Sequence, residues 1–194
     1  MRLSLYGVSS VPWWPAMVRG LMKRYAVNGG PGSDSLIGLF QELGPCNVTA
    51  NLKTELNPYS WSEYSNMLFL SQPLGTGFSY GSEGVGSLNS FTGDFQPASV
   101  AGAQGRYPVI NASAIDTTDL AAIAAYHVLQ GFYSALPQLD STVTSRDFHL
   151  WTESYGGHYG PAFFEYFEQQ NKLVEEGHVK GKALELKTLG VSCY

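Results

Sequence analysis

The sequence predicts an α/β fold, a central and mostly parallel β-sheet flanked by helices, and three observations carry that prediction. The apolar, aromatic run Phe148-His149-Leu150-Trp151-Thr152 stops abruptly at Glu153-Ser154-Tyr155-Gly156-Gly157. Phe163, Phe164, Tyr166 and Phe167 then recur on one side of a helical pattern, so the stretch reads as strand, sharp turn and helix. Tyr25-Ala26-Val27 is a short apolar run that passes directly into Asn28-Gly29-Gly30-Pro31-Gly32, a strand end followed by an unusual backbone path. Between these two, Asp116-Thr117-Thr118-Asp119 starts a helix that places Leu120, Ile123, Ala124, His127, Val128, Phe132 and Leu136 at helical spacing until Pro137 stops the pattern. That order of elements is the βα alternation of a sheet covered by helices.

Length and composition bound the reading. A chain of 194 residues with 44% hydrophobic and 13% aromatic residues can build one real core. Its 22 glycines and 10 prolines call for many turns between elements. A net charge of -5 argues against nonspecific nucleic-acid binding, and no stretch approaches the roughly 18 consecutive apolar residues of a membrane span. Two cysteines, Cys46 and Cys193, are too few for a disulfide scaffold; each can pair with the other, with a residue outside this chain, or with nothing. No histidine or cysteine cluster has metal-ligand spacing, and no motif implies a cofactor. Oligomeric state is not legible.

In chain order, residues 1–24 form an irregular N-terminal segment in which the apolar run Leu3-Ser4-Leu5-Tyr6-Gly7-Val8 is too short, and too soon broken by Pro12 and Pro15, for a complete signal peptide. The domain is expected over residues 25–194. Asp34 or Ser35 caps a short helix that Gly44-Pro45 stops, with Glu42 near its end; on its own such a glutamate reads as a solvated helix face. Asn47-Val48-Thr49 and Asn111-Ala112-Ser113 are glycosylation acceptors that point weakly to the secretory route. Asn57-Pro58-Tyr59-Ser60 begins a turn. Met67-Leu68-Phe69-Leu70 reads as a buried strand leading into the rigid loop Gln72-Pro73-Leu74-Gly75-Thr76-Gly77-Phe78-Ser79-Tyr80. Residues 81–114 are rich in Gly, Ser and Ala, lack periodicity, and read as a long excursion from the core. His127 falls on the apolar side of its helix, as a core or half-buried histidine. Glu165, Glu168, Glu175 and Glu176 read as the solvated face of the helix after the turn, which Gly177 ends, and residues 183–191 as a further strand.

The chemistry sits at Ser154. A serine in a tight strand-to-helix turn has its hydroxyl exposed, and the small residues beside it let strand and helix pass closely. The glycine loop at residues 28–32 has a weak phosphate-binding reading, because no Gly-Lys-Ser/Thr follows and the spacing does not match a dinucleotide loop. An oxyanion loop or a structural turn remain. A serine nucleophile needs a base and an orienting carboxylate, which in α/β-hydrolases follow it in chain order. No Asp follows Ser154 here, and neither His158, beside the turn, nor His178, at the helix exit, stands where that architecture places its base.

Five ordered motifs carry a resemblance. They are Asn28-Gly29-Gly30-Pro31-Gly32, Phe40-Gln41-Glu42-Leu43-Gly44-Pro45, Asn57-Pro58-Tyr59-Ser60-Trp61, Gln72-Pro73-Leu74-Gly75-Thr76-Gly77-Phe78-Ser79-Tyr80 and Glu153-Ser154-Tyr155-Gly156-Gly157-His158-Tyr159-Gly160-Pro161. Together they closely resemble the serine carboxypeptidase family, the peptidase branch of the α/β-hydrolases, over the first half of its catalytic domain. The resemblance implies a partial α/β-hydrolase fold lacking its C-terminal part. It implies Ser154 as the acylating nucleophile, with the N–H groups of Gly30 and Tyr155 as the oxyanion hole. Asn28, the Gly29 backbone, Glu42 and Glu153 match the group that recognises the C-terminal carboxylate of a peptide or protein substrate. An acid can bind an acid because a protonated glutamate donates a hydrogen bond to a carboxylate, whereas an ionised one repels it. The implied setting is acidic: a vacuole or lysosome-like compartment, or an acidified exterior.

The chain also departs from the family pattern. Thr152 replaces the usual Gly two residues before the serine, and its branched side chain is expected to crowd the turn. Ser33-Asp34-Ser35 stands where Cys-Ser-Ser is usual, removing a disulfide partner, and Ser71 stands where Asp commonly precedes Gln-Pro. Val191-Ser192-Cys193-Tyr194 replaces a Gly-Asn-Gly continuation. Two expectations follow: a serine-type carboxypeptidase working through an acyl-enzyme, or a catalytically inactive portion that at most binds a peptide C-terminus.

Overall fold

The computed structural model describes residues 23–101 and 105–192. Most of the expected N-terminal segment, and Cys193, lie outside the described residues. Four strands form the central sheet in the order β4-β1-β8-β9: β1 (Lys23–Val27), β4 (Asn66–Phe69), β8 (Asp147–Glu153) and β9 (Glu185–Ser192). All their pairings are parallel, as the βα order requires. β1 extends two residues before the apolar run Tyr25-Ala26-Val27.

Alternation along the strands sends alternate residues to opposite faces. Tyr25, Leu68, Phe148 and Leu150 point to one face, where α2 (Thr118–Leu139) and α3 (Gly156–Glu175) cover them with Tyr126, Leu129, Tyr133, Phe163 and Phe167. The Tyr25 and Phe148 rings stack at 4.3 Å, and Tyr126 joins the helices through contacts with Tyr166 and Phe167 at 5.9 and 5.8 Å. Ala26, Met67 and Phe69 point to the other face and meet Leu39.

α2 differs from its expected form in two respects. Its buried face is Ala121, Ala122, Ala125, Tyr126, Leu129, Phe132, Tyr133 and Leu136, which leaves His127 exposed rather than in or near the core. Alanines and two tyrosines define that face, so counting the strongly apolar residues put its centre part of a turn away. The helix also runs through Pro137 to Leu139. Proline lacks the N–H that would reach the Tyr133 carbonyl one turn back, and Lys182 Nζ donates to that oxygen instead at 2.7 Å.

The excursion at residues 81–114 lies outside the central sheet, as expected, but it has regular structure. β5 (Ser82–Leu88) pairs antiparallel with β6 (Phe95–Pro97) and β7 (Gly105–Val109), with a four-residue helix, α1 (Ala98–Ala101), between the last two. Gly84 hides the strand pattern for a packing reason: a Cβ there would lie 2.6 Å from the Phe95 ring. A hairpin of β2 (Cys46–Val48) and β3 (Thr54–Leu56) was likewise not foreseen.

Two side-chain amides hold the approach to β9. Gln130 of α2 donates to the Lys182 carbonyl at 2.9 Å and accepts from its N–H at 2.8 Å. Asn171 of α3 does the same for Leu184, at 2.7 and 2.8 Å. Both helices thereby dock the last strand to the sheet through hydrogen bonds that irregular backbone would otherwise leave unmade. Asn171→Leu is expected to lower the unfolding free energy by about 2 kcal/mol in a urea titration, given about 1–3 kcal/mol for each orphaned group.

Candidate active site

The site forms where β1 and β8, adjacent and parallel, deliver their following loops to the same sheet end. Val27 pairs with Thr152, so Asn28 and Glu153 leave the sheet side by side. Ser154 has φ 58°, the left-handed region that costs a non-glycine residue about 1–3 kcal/mol, and its side chain is exposed. Its N–H donates to the Ser192 carbonyl at the end of β9 at 2.9 Å. Its own carbonyl accepts from Gly157 at 3.0 Å, turning the chain into α3.

Gly29 presses on this turn. A Cβ there would overlap the Glu153 carbonyl oxygen and lie 2.5 Å from Tyr155 N and 3.1 Å from Ser154 Cβ, so only glycine fits. Gly30 follows with φ 111°. Among the described residues, neither the Gly30 N–H nor the Tyr155 N–H donates a hydrogen bond.

The three expected recognition side chains converge. Asn28, buried at the end of β1, donates from Nδ2 to Glu153 Oε2 at 2.6 Å. A Cβ on Gly38 would stand 3.1 Å from Asn28 Oδ1 and 3.6 Å from Glu42 Oε2, so the amide and the second carboxyl both border that glycine. Glu42 is exposed, as a solvated helix face would be, but partial desolvation of its carboxyl, and then the neighbouring Glu153 carboxylate, raise it above its ordinary pKa. The expected short helix carrying Glu42 is a wide π-helical turn, Gly38–Glu42, in which Leu43 N–H reaches back to the Gly38 carbonyl at 2.8 Å. Asn57 holds that turn in place, donating to the carbonyls of Glu42 and Gly44 at 2.8 and 3.0 Å. The sequence marked Asn57 only as a turn residue; its burial is the signal that reveals this second role.

Thr152 packs into the space beside the turn. It is buried, and its hydroxyl donates to the Gly156 carbonyl at 2.8 Å. Its bulk is accommodated by missing side chains on α3: a Cβ on Gly156 would lie 2.5 Å from Thr152 Cβ, and one on Gly160 would lie 2.9 Å from Thr152 Oγ1.

No base reaches the serine among the described residues. Among the described residues Ser154 Oγ has no hydrogen-bond partner, and the His158 ring lies stacked on Tyr155, with centroids 4.6 Å apart and planes at 12°. Glu175 closes a 20-residue helix that begins beside Ser154, roughly 30 Å away at 1.5 Å per residue, and Glu176 pairs with His178 there at 3.5 Å. Of the two glycosylation acceptors, Asn111 is exposed and accepts from Ser113 Oγ at 2.7 Å. Asn47 lies half-buried in β2 opposite Glu55, with Oδ1 inaccessible.

A parallel sheet with a strand, a serine in a left-handed turn and a helix, faced by a glycine loop, defines a partial α/β-hydrolase fold. The family profile described as serine carboxypeptidase matches residues 27–191, and the chain belongs to that family. It is 40% identical over 166 residues to Carboxypeptidase S1 of Penicillium janthinellum, covering 85% of this chain and 31% of that one. It is 41% identical over 135 residues to the vacuolar serine-type carboxypeptidase ATG42 of Saccharomyces cerevisiae, covering 70% of this chain and 20% of that one. The crystal structure of Kex1(delta)p, a prohormone-processing carboxypeptidase from Saccharomyces cerevisiae, superposes with a TM-score of 0.64 at 26% identity over 89% of this chain and 30% of that one. The chain therefore spans under a third of the length of these relatives.

The packing of Thr152 is open to a double-mutant cycle. Gly156→Ala is expected to cost about 1–3 kcal/mol by overpacking, measured by urea denaturation, and to cost little in a Thr152→Gly background where the overlap is gone.

Proposed function

We propose that this chain recognises the C-terminal carboxylate of a peptide and holds the last peptide bond beside Ser154, without itself hydrolysing that bond at an appreciable rate. The observation that carries the reading is the cluster of Asn28, Glu42 and Glu153 beside the serine turn. Asn28 retains Oδ1 toward the cluster while its Nδ2 is committed to Glu153. The raised pKa of Glu42 supports it as the proton donor to the incoming carboxylate. The Gly29 backbone packs against residues 153–155, and the N–H groups of Gly30 and Tyr155 serve in this reading as the donors for the carbonyl oxygen of the bond. Hydrolysis through an acyl-enzyme on Ser154 is the second reading, favoured by the strained, exposed serine. It requires a base and an orienting acid that residues 23–192 do not bring to Ser154. The relative named as vacuolar and the exposed Asn111 acceptor support a secretory or vacuolar setting, whose acidity suits the cluster.

The pH dependence follows from the sign of the Glu42 shift. A carboxyl whose pKa is raised in the folded chain favours the protonated form, so both its stabilisation and its hydrogen-bond donation are present at acid pH and are lost as pH rises through the raised value. Calorimetric titration with N-acetyl-Phe-Leu is expected to show tighter binding at about pH 4.5 than at pH 7, little binding of the C-terminal amide, and a flattened profile in Glu42→Gln. Asn28→Ala is expected to weaken binding about tenfold or more. Equal binding of acid and amide would overturn the recognition reading. Strong fluorophosphonate labelling with dipeptide turnover, both abolished in Ser154→Ala, would replace it with the second.

A further inference from the structure

Two of the departures from the family pattern meet in space. Ser71, buried at the end of β4, donates from Oγ to Asp34 Oδ1 at 2.5 Å. The hydrogen bond joins the loop after β1 to the loop after β4, with the acid on the first and the hydroxyl on the second. Such a bond between hydroxyl and carboxylate is short and charge-assisted whichever loop carries the acid.

The acid has three neighbours. Asp34 Oδ1 also accepts from the Leu36 N–H at 3.0 Å, where the chain enters its helical turn. A Cβ on Gly77 would overlap the Asp34 carboxylate, so the loop after β4 packs its backbone on it. One residue on, Ser35 Oγ donates to the Leu70 carbonyl at 2.7 Å and accepts from the Asn28 N–H at 3.1 Å. The Asp34 to Ser71 and Ser35 to Leu70 bonds are thus adjacent rungs between the same two segments, and Ser35 of the second rung also holds the N–H of Asn28, the residue that binds Glu153.

We propose that Asp34 and Ser71 form a positioning pair that sets the glycine loop, residues 28–32, over the serine turn. The pair touches no substrate; it acts through Ser35 on Asn28 and Gly29. Gly29 tolerates no added atom against residues 153–155, so a small displacement of its loop is felt directly at the site. The consequence for peptide binding rests on the function proposed above.

The test uses the whole chain, N-acetyl-Phe-Leu as probe, and four variants: Ser71→Ala, Asp34→Ser, Ser71→Asp, and Asp34→Ser combined with Ser71→Asp. Calorimetric affinity at about pH 4.5, backbone amide shifts without peptide, and urea stability are read for each. Ser71→Ala, which removes one hydroxyl and whose folding the urea titration checks, is expected to weaken binding roughly threefold to tenfold and to move the amide resonances of Asn28, Gly29 and Gly30. Asp34→Ser and Ser71→Asp are expected to weaken it at least as much, the second by setting two carboxylates face to face. The exchanged double variant is expected to return within about twofold of the parent in affinity and to restore the shifts. A double variant that regains stability but neither affinity nor shifts would overturn the proposal, leaving a purely structural contact. If the parent chain binds no peptide, the recognition reading falls by itself, and the pair is still decided by the shifts: unmoved Asn28, Gly29 and Gly30 amides in Ser71→Ala overturn it.

Discussion

The site depends on one close approach, that of the Gly29 backbone to the turn at Glu153, Ser154 and Tyr155. Parallel pairing of β1 with β8 puts the two loops at one end of the sheet, and the register of Val27 with Thr152 sets them level. At that separation there is no space for a side chain on Gly29. Next to this contact Asn28 commits its amide to Glu153, and among the described residues the Gly30 and Tyr155 N–H groups that flank it donate no hydrogen bond.

Electrostatics at the cluster is then a consequence of packing. Partial burial of the Glu42 carboxyl, and then the Glu153 carboxylate, raise its pKa above the ordinary value and favour its protonated form. The supporting contacts are backbone-directed and indifferent to pH: Asn57 holds the carbonyls of the wide turn, and Ser35 ties Asn28 to Leu70. Thr152 shows the same economy at the serine turn, since the bulk it adds to β8 is matched by Gly156 and Gly160 on α3.

The parts of this arrangement legible in the sequence were those with a strong local signature. The serine turn, the glycine loop and the long helix each combine periodicity with an abrupt stop, and the ordered motifs linked them. What was hidden depends on distant partners. His127 lies at the spacing of the strongly apolar residues yet is exposed, because the buried face of α2 is built largely from alanines and tyrosines. Pro137 has the local signature of a stop, and nothing near it in sequence reveals that Lys182 serves the Tyr133 carbonyl. The three-stranded sheet beyond residue 81 escaped notice because Gly84 gives up its side chain to the Phe95 ring, which erases the alternation. Asp34 and Ser71 looked like unrelated departures, 37 residues apart, until the fold joined them.

The most direct test of the central claim is a map of backbone amide shifts as a peptide with a free C-terminal carboxylate is added at acid pH. The account predicts perturbations concentrated at Gly29, Gly30, Glu42, Glu153 and Tyr155, with the corresponding amidated peptide leaving them largely unchanged. Shifts confined to other surfaces, or the same response to both peptides, would contradict it.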